Sequence, residues 1–168
     1  MLRQTFCCLL SLILFILTSS LWETPVLAEG IDPSVRRYLA SEPVEVKTNL
    51  QGKTQVFTPE ELTSGKALFD QNCLNCHARG RTIPYPQVPL SLAALQGATP
   101  PRDNIENLVA YFRYPMSYDG SDSNYWCREV PESWMNQEQA EQMAAYLIRA
   151  AETYPKWGQD IETNPFAM

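Results

Sequence analysis

The stretch Cys73-Leu74-Asn75-Cys76-His77 decides how the chain is read. C-x-x-C-H is the attachment pattern of a c-type haem. Two thiols separated by two residues on a helical turn match the two vinyl groups of the porphyrin, to which they add as thioethers. The histidine follows at once, so its imidazole comes beneath the ring and binds iron as the proximal axial ligand. A zinc site would need two further Cys or His ligands. The 168-residue chain has one histidine, His77, and beyond the motif one late cysteine, Cys127. A thioredoxin-like redox pair would want a βαβ setting, and the flanking sequence carries no such pattern. The expected cofactor is one covalent haem c held by Cys73, Cys76 and His77.

Upstream, Arg3 supplies a positive start, Phe6 to Leu17 is a nearly continuous apolar run, and Val26-Leu27-Ala28 offers compact residues before Glu29. That is the layout of a secretory signal peptide, with cleavage expected after Ala28. The run is short of the roughly 20 residues a spanning helix requires. Residues 29–168 then form one monohaem domain, peripheral to a membrane at most and monomeric in isolation. Export agrees with the motif, because c-type attachment is completed beyond an energy-coupling membrane. Removing residues 1–28 takes away Arg3 and Glu23, so the net charge stays at −6. An acidic surface excludes nucleic acid as the expected partner and suits a basic patch on a redox protein. Cys7 and Cys8 leave with the leader. Cys127 remains as an odd thiol in an exported protein.

The rest of the chain reads as mainly α, with a small N-terminal β-hairpin. Residues 29–43 look like an irregular arm with a turn of helix near Ser34–Leu39. Pro43 to Lys47 and Thr54 to Phe57 alternate apolar and polar around the turn residues Asn49-Leu50-Gln51-Gly52. Thr58-Pro59-Glu60-Glu61 starts a helix with an N-cap, a proline at N1 and a capping box. That helix should run to about Asn72, with Gly65 open to close approach by another helix. Arg79 to Pro89 is too rich in glycine and proline for helix and suits a cover for one ring face. Ser91 to Gln96 makes a short helix stopped by Gly97. Asp103-Asn104-Ile105-Glu106 reads as a second capping box, opening a helix that ends before Pro115 and buries Ile105, Leu108, Val109 and Phe112. Tyr114 to Glu132 is a long irregular region, and its aromatic content argues for order. Asn136 and Gln139 open the strongest helix, with Ala140, Met143, Ala144, Leu147 and Ile148 on one face.

Several of these segments resemble the low-potential cytochrome c-550 family of photosystem II. The run Gly97-Ala98-Thr99-Pro100-Pro101-Arg102-Asp103-Asn104-Ile105-Glu106, then Leu108-Val109 and Tyr118-Asp119-Gly120, is its most specific part. Gly52-Lys53-Thr54, Gly65-Lys66-x-Leu68-Phe69 and Lys156-Trp157-Gly158 are also similar, so the likeness spans about Val44 to Gly158. It implies a class I cytochrome c fold, a cyanobacterial source and a place in the thylakoid lumen. In that family a second histidine, shortly after the Tyr-Asp-Gly turn, binds iron from the distal side. Here no histidine but His77 exists, and Cys127 stands nearest that position. The chain therefore resembles a divergent c-550-like paralogue, and its ending, Glu162 to Met168, also departs from the family's glycine- and tyrosine-rich tail.

The preferred sixth ligand is Cys127, giving His77 and Cys127 as the iron-binding pair. A thiolate there lowers the potential, iron favours its deprotonation, and Arg128 beside it can help hold the charge. Met135, just before the last helix, is the rival, Met116 a weaker one, and an open site the third possibility. The expected function is a low-potential electron carrier of the thylakoid lumen and not an enzyme, since the one histidine is committed to iron. The alternatives are a structural extrinsic subunit on the lumenal surface of photosystem II, and a redox or gas sensor in which Cys127 leaves reduced iron.

Overall fold

A computed structural model describes residues 30–83 and 87–159. The expected signal segment, Pro84–Pro86 of the ring-covering stretch, and the tail from residue 160 lie outside the described residues. The first element is α1 (Pro33–Tyr38), a full short helix where the sequence suggested an arm with one turn. Asp32 caps it, its Oδ1 accepting from Ser34 N at 2.7 Å and Val35 N at 3.2 Å. Strands β1 (Val44–Lys47) and β2 (Thr54–Phe57) pair antiparallel with Val44 opposite Phe57, as the alternation predicted.

Helix α2 (Pro59–Asn72) starts where its cap placed it. Thr58 Oγ1 accepts from Glu61 N at 3.2 Å, and Glu61 Oε2 accepts from Thr58 N at 2.7 Å, so two orphan donors are satisfied reciprocally. A 3-10 turn covers Ala78–Gly80, and α3 (Leu92–Gly97) follows, capped by Ser91. Helix α4 (Ile105–Arg113) departs by one residue from the reading of its start. Asp103 fits the box pattern in sequence, yet Asn104 is the cap, its Oδ1 accepting from Asn107 N at 3.0 Å. Lys47 explains the shift: its Nζ pairs with Asp103 Oδ2 at 2.9 Å and draws that side chain to the hairpin. Helix α5 (Gln137–Thr153) has the expected Asn136–Gln139 box.

The principal interface is α2 laid across α5, with α4 on a second side of α5. Gly65 makes the crossing: a Cβ there would stand 2.1 Å from the Gln142 carbonyl oxygen, so only glycine admits the backbone of α5. Leu62 and Phe69 of α2 meet Ala140, Met143, Ala144, Leu147 and Ile148 of α5 in a single core. Each large apolar side chain buried this way contributes about 1.5–3 kcal/mol. Phe69, Tyr146 and Trp157 close the end of the crossing, with ring centroids 5.6–6.0 Å apart. Trp157 Nε1 donates to Leu90 O at 2.9 Å, and Gly158 N donates to Arg79 O at 2.9 Å. The C-terminal segment thus pins the chain on both sides of the ring-covering stretch. Among the described residues no helix is long and apolar enough to cross a membrane.

Candidate haem site

The C-x-x-C-H stretch is the frayed end of α2. Cys73 is its C-cap, with Cys73 N donating to Phe69 O at 2.8 Å. The backbone then tightens into a turn in which Cys76 N and His77 N both donate to Cys73 O, at 3.1 and 2.9 Å. Ile83 N returns to Cys76 O at 2.9 Å and closes the loop. A capped, packed helix therefore fixes where the motif begins, and short-range bonds fix how it turns.

Cys76 and His77 line a cavity of about 300 Å³, and Cys127 lines it too. Its remaining wall is largely apolar, with Val88 and Pro89 from the segment expected to cover the ring, Leu90 just after it, Leu95 from α3 and Leu108 from α4. Cys73 sits beside it, partly buried and packed on the core. Burial pushes the Cys73 thiol up to about 12, with the Cys127 and Cys76 sulfurs adding to the rise. Burial lowers the pKa of His77, so its imidazole is held neutral, the form that can bind a metal.

The residues present fit a haem. Thr82 Oγ1 lies 3.1 Å from His77 Nδ1 and donates its own proton to Val88 O. A hydroxyl has one proton, so toward Nδ1 it can only accept. That assigns the proton to Nδ1 and leaves the Nε2 lone pair free, the arrangement by which an outer partner orients a ligating histidine. Thr82 was not foreseen as a site residue. Its signal was a hydroxyl five residues after the motif inside a stretch otherwise read as cover.

The rivals for the distal position separate in space. Met135 is only 2 % exposed and belongs to the hydrophobic core. Its backbone is fixed there as well, its carbonyl accepting from Arg113 Nη1 at 2.9 Å. Met116 forms an isolated bridge with Ser123 and offers its carbonyl to Arg102. Burial raises the pKa of the Cys127 thiol, while the Tyr111 hydroxyl and the Arg102 guanidinium act in the opposite direction. Arg128, expected to steady Cys127, instead sits 5.3 Å from the Trp134 ring centroid. Tyr125 and Trp126, just before the thiol, line the same cavity and are 87 % and 73 % exposed.

Polar ties hold the 114–135 segment. Arg102 Nη2 donates to Met116 O at 3.1 Å and Ser117 O at 2.7 Å. Arg113 Nη1 donates to Val130 O at 2.6 Å. The Tyr118-Asp119-Gly120 turn places Gly120 at φ +73, and a Cβ there would meet Thr99 O at 2.5 Å. Arg102, Tyr111 and Asn124 are site residues that sequence reasoning missed. Tyr111 carried a faint signal, one turn beyond Leu108 on a face otherwise apolar.

Comparison with known proteins agrees with this architecture. Residues 37–163 match the cytochrome c-550 domain. The chain is 46 % identical over 147 residues to a cytochrome c-550-like protein of Trichodesmium erythraeum, covering 87 % of this chain and 89 % of that one. It is 47 % identical over 127 residues to the photosystem II extrinsic protein V of Gloeobacter violaceus, covering 75 % and 68 %. The solved structure of the PsbV2 cytochrome from Thermosynechococcus elongatus superposes with a TM-score of 0.75 at 52 % identity, over 77 % of this chain and 99 % of that one. The shared helical frame, the C-x-x-C-H turn and these likenesses converge: the chain belongs to the cytochrome c-550 family and is a c-type cytochrome related to the photosystem II extrinsic protein.

Proposed function

We propose that residues 29–168 are a monohaem electron carrier of low potential in the thylakoid lumen, delivered there by a signal peptide at residues 1–28. Cys73 and Cys76 would hold the ring by thioethers, and His77 and Cys127 would bind the iron. The observation that carries the reading is that His77 and Cys127 line one cavity while Met135 is buried in the core. Bound there, a haem supplies a one-electron iron couple. The chain's part is to place, shield and tune it. His77 offers Nε2 because Thr82 fixes the other nitrogen. Leu90, Leu95 and Leu108 keep water from the cavity wall, which raises the influence of every charge within it. An anionic sulfur from Cys127 favours the ferric state and lowers the potential. Electron transfer needs no bond made or broken in a substrate. The net charge of −6 suits a basic docking patch on a redox partner.

The deciding experiment is the optical and paramagnetic resonance spectrum of the oxidised holoprotein beside Cys127→Ser. A low-spin thiolate signature that vanishes in the variant is the expected result. An unchanged spectrum with a methionine–iron charge-transfer band would overturn it in favour of Met135. The second reading, a structural subunit at the lumenal face of photosystem II, draws on the 47 % identity to an extrinsic protein V. Co-migration of this cytochrome with photosystem II particles would select it, whereas reversible reduction by a soluble carrier selects electron transport.

A further inference from the structure

Three side chains outside the expected ligand set meet near Cys127. Tyr111, on α4, lines the same cavity as that thiol. Arg102 is 9 % exposed, with its guanidinium carbon 4.0 Å from the Tyr111 ring centroid. Its two bonds to the carbonyls of Met116 and Ser117 leave that guanidinium little freedom to move. Asn124 Nδ2 donates to Tyr111 Oη at 3.0 Å, and Asn124 Oδ1 accepts from Trp126 N at 3.1 Å. One amide side chain therefore ties the phenol to the backbone immediately before Cys127.

The donor and acceptor inventory shows what the phenol has left to offer. A tyrosine hydroxyl carries one proton and can also accept. Asn124 uses the accepting side, so the proton remains available. Arg102 has donors only and cannot take it. A cation over the ring face draws electron density from the phenol and favours donation. Cys127 lines the same cavity as Tyr111, and its Sγ donates in a long contact to Arg128 O, 3.9 Å, so the sulfur can still accept.

On the reading that Cys127 binds iron, we propose that Tyr111 is a positioning residue that donates a hydrogen bond from its hydroxyl to the Cys127 sulfur, with Arg102 and Asn124 holding the phenol in place. A donor on a ligating sulfur withdraws charge from it, weakens its donation to iron and so raises the potential above that of a bare thiolate. It also restricts the side-chain rotamer of Cys127. Tyr111 with Asn124 would orient Cys127 as Thr82 orients His77, but by donating to its partner where Thr82 accepts.

The test uses the purified oxidised holoprotein with Tyr111→Phe, which keeps the ring beneath Arg102 and removes only the hydroxyl. Paramagnetic resonance g values and a spectroelectrochemical midpoint potential are the readouts. The expected result is a retained low-spin thiolate signal with shifted g values and a lower midpoint potential, while Cys127→Ser loses that signal. Asn124→Ala leaves the phenol and removes its orienting donor, and should broaden the g-value distribution. If Cys127→Ser loses the signal but both other variants match the parent, the phenol only packs and the proposal is overturned while the ligation stands. If Cys127→Ser keeps the signal, the ligation reading fails and this proposal falls with it.

Discussion

The α2–α5 crossing and the 114–135 segment are built by different physics. At the crossing, backbones approach so closely that Gly65 has no room for a methyl against Gln142, and Leu62, Phe69, Met143 and Ile148 fill a dry core. The 114–135 segment contributes Val130 and Met135 to that core, and for most of its length is held by polar side chains, two arginines reaching in from the preceding residues and others of its own. Arg102, Arg113 and Asn124 bind its carbonyls and amides, and Asp119 gathers Ser117 and Ser121. The first region resists change in volume, and the second resists loss of a partner. Stability should therefore concentrate at the crossing, and the tuning of the site in the segment that carries Cys127.

Gly65→Ala gives the largest expected effect. Alanine gains about 1 kcal/mol of intrinsic helix propensity. Against that, a Cβ 2.1 Å from a backbone oxygen cannot relax by rotamer change. Separating the helices at their closest point opens gaps along the whole interface, for a net loss of roughly 3 kcal/mol. Urea unfolding of the holoprotein should show it as a lowered midpoint, with the low-temperature spectrum of the folded fraction unchanged. A spectrum that shifts along with the midpoint would break the proposed division between the two regions.

Arg113→Met tests the other side. It keeps most of the side-chain length and removes the donor shared by Val130 O and Met135 O, at 2.6 and 2.9 Å. Two buried carbonyls lose a charged partner, which costs about 2 kcal/mol. The loss should be smaller than at Gly65, but here the spectrum should become heterogeneous, because the anchored end of the Cys127 segment is freed. Equal spectral purity in parent and variant would show that the segment keeps its shape without Arg113.

The two regions also differ in how far the sequence reveals them. Caps and periodicity are local, so Thr58-Pro59-Glu60-Glu61, the Asn136–Gln139 pair and the apolar face of α5 could be read before any fold was known. Gly65 could be noted as an opening, though its partner Gln142 lies in another helix. The C-x-x-C-H turn was legible because its chemistry is confined to five residues. Arg102, Tyr111 and Asn124 come from three separate segments, and each looks ordinary until folding brings them together. Asp103 shows the same limit at a single residue: its pattern names it the cap of α4, and a lysine from the hairpin takes it elsewhere. Tertiary ion pairs override local preference where the two compete for one carboxylate.

The smallest expected effect lies at the edge of the crossing, where α1 meets α2. Burial pushes the Asp32 carboxyl up, but the Ser34 hydroxyl and amide, the Val35 amide and the Lys66 ammonium outweigh it and hold its pKa below the ordinary 3.8. A carboxyl depressed in the folded state adds stability that is present above its unfolded value and is lost as pH falls through the folded value. The Asp32–Lys66 contact is 3.4 Å long between partly exposed side chains, so its share is discounted for solvent. Asp32→Asn retains a capping oxygen and removes the charge, and should cost under about 1 kcal/mol at neutral pH. Thermal unfolding of parent and variant should differ at pH 7, with the gap narrowing as pH drops below about 4. A gap that is constant with pH would mean that the cap geometry alone supports α1, and that the charge on Asp32 contributes nothing to its docking on α2.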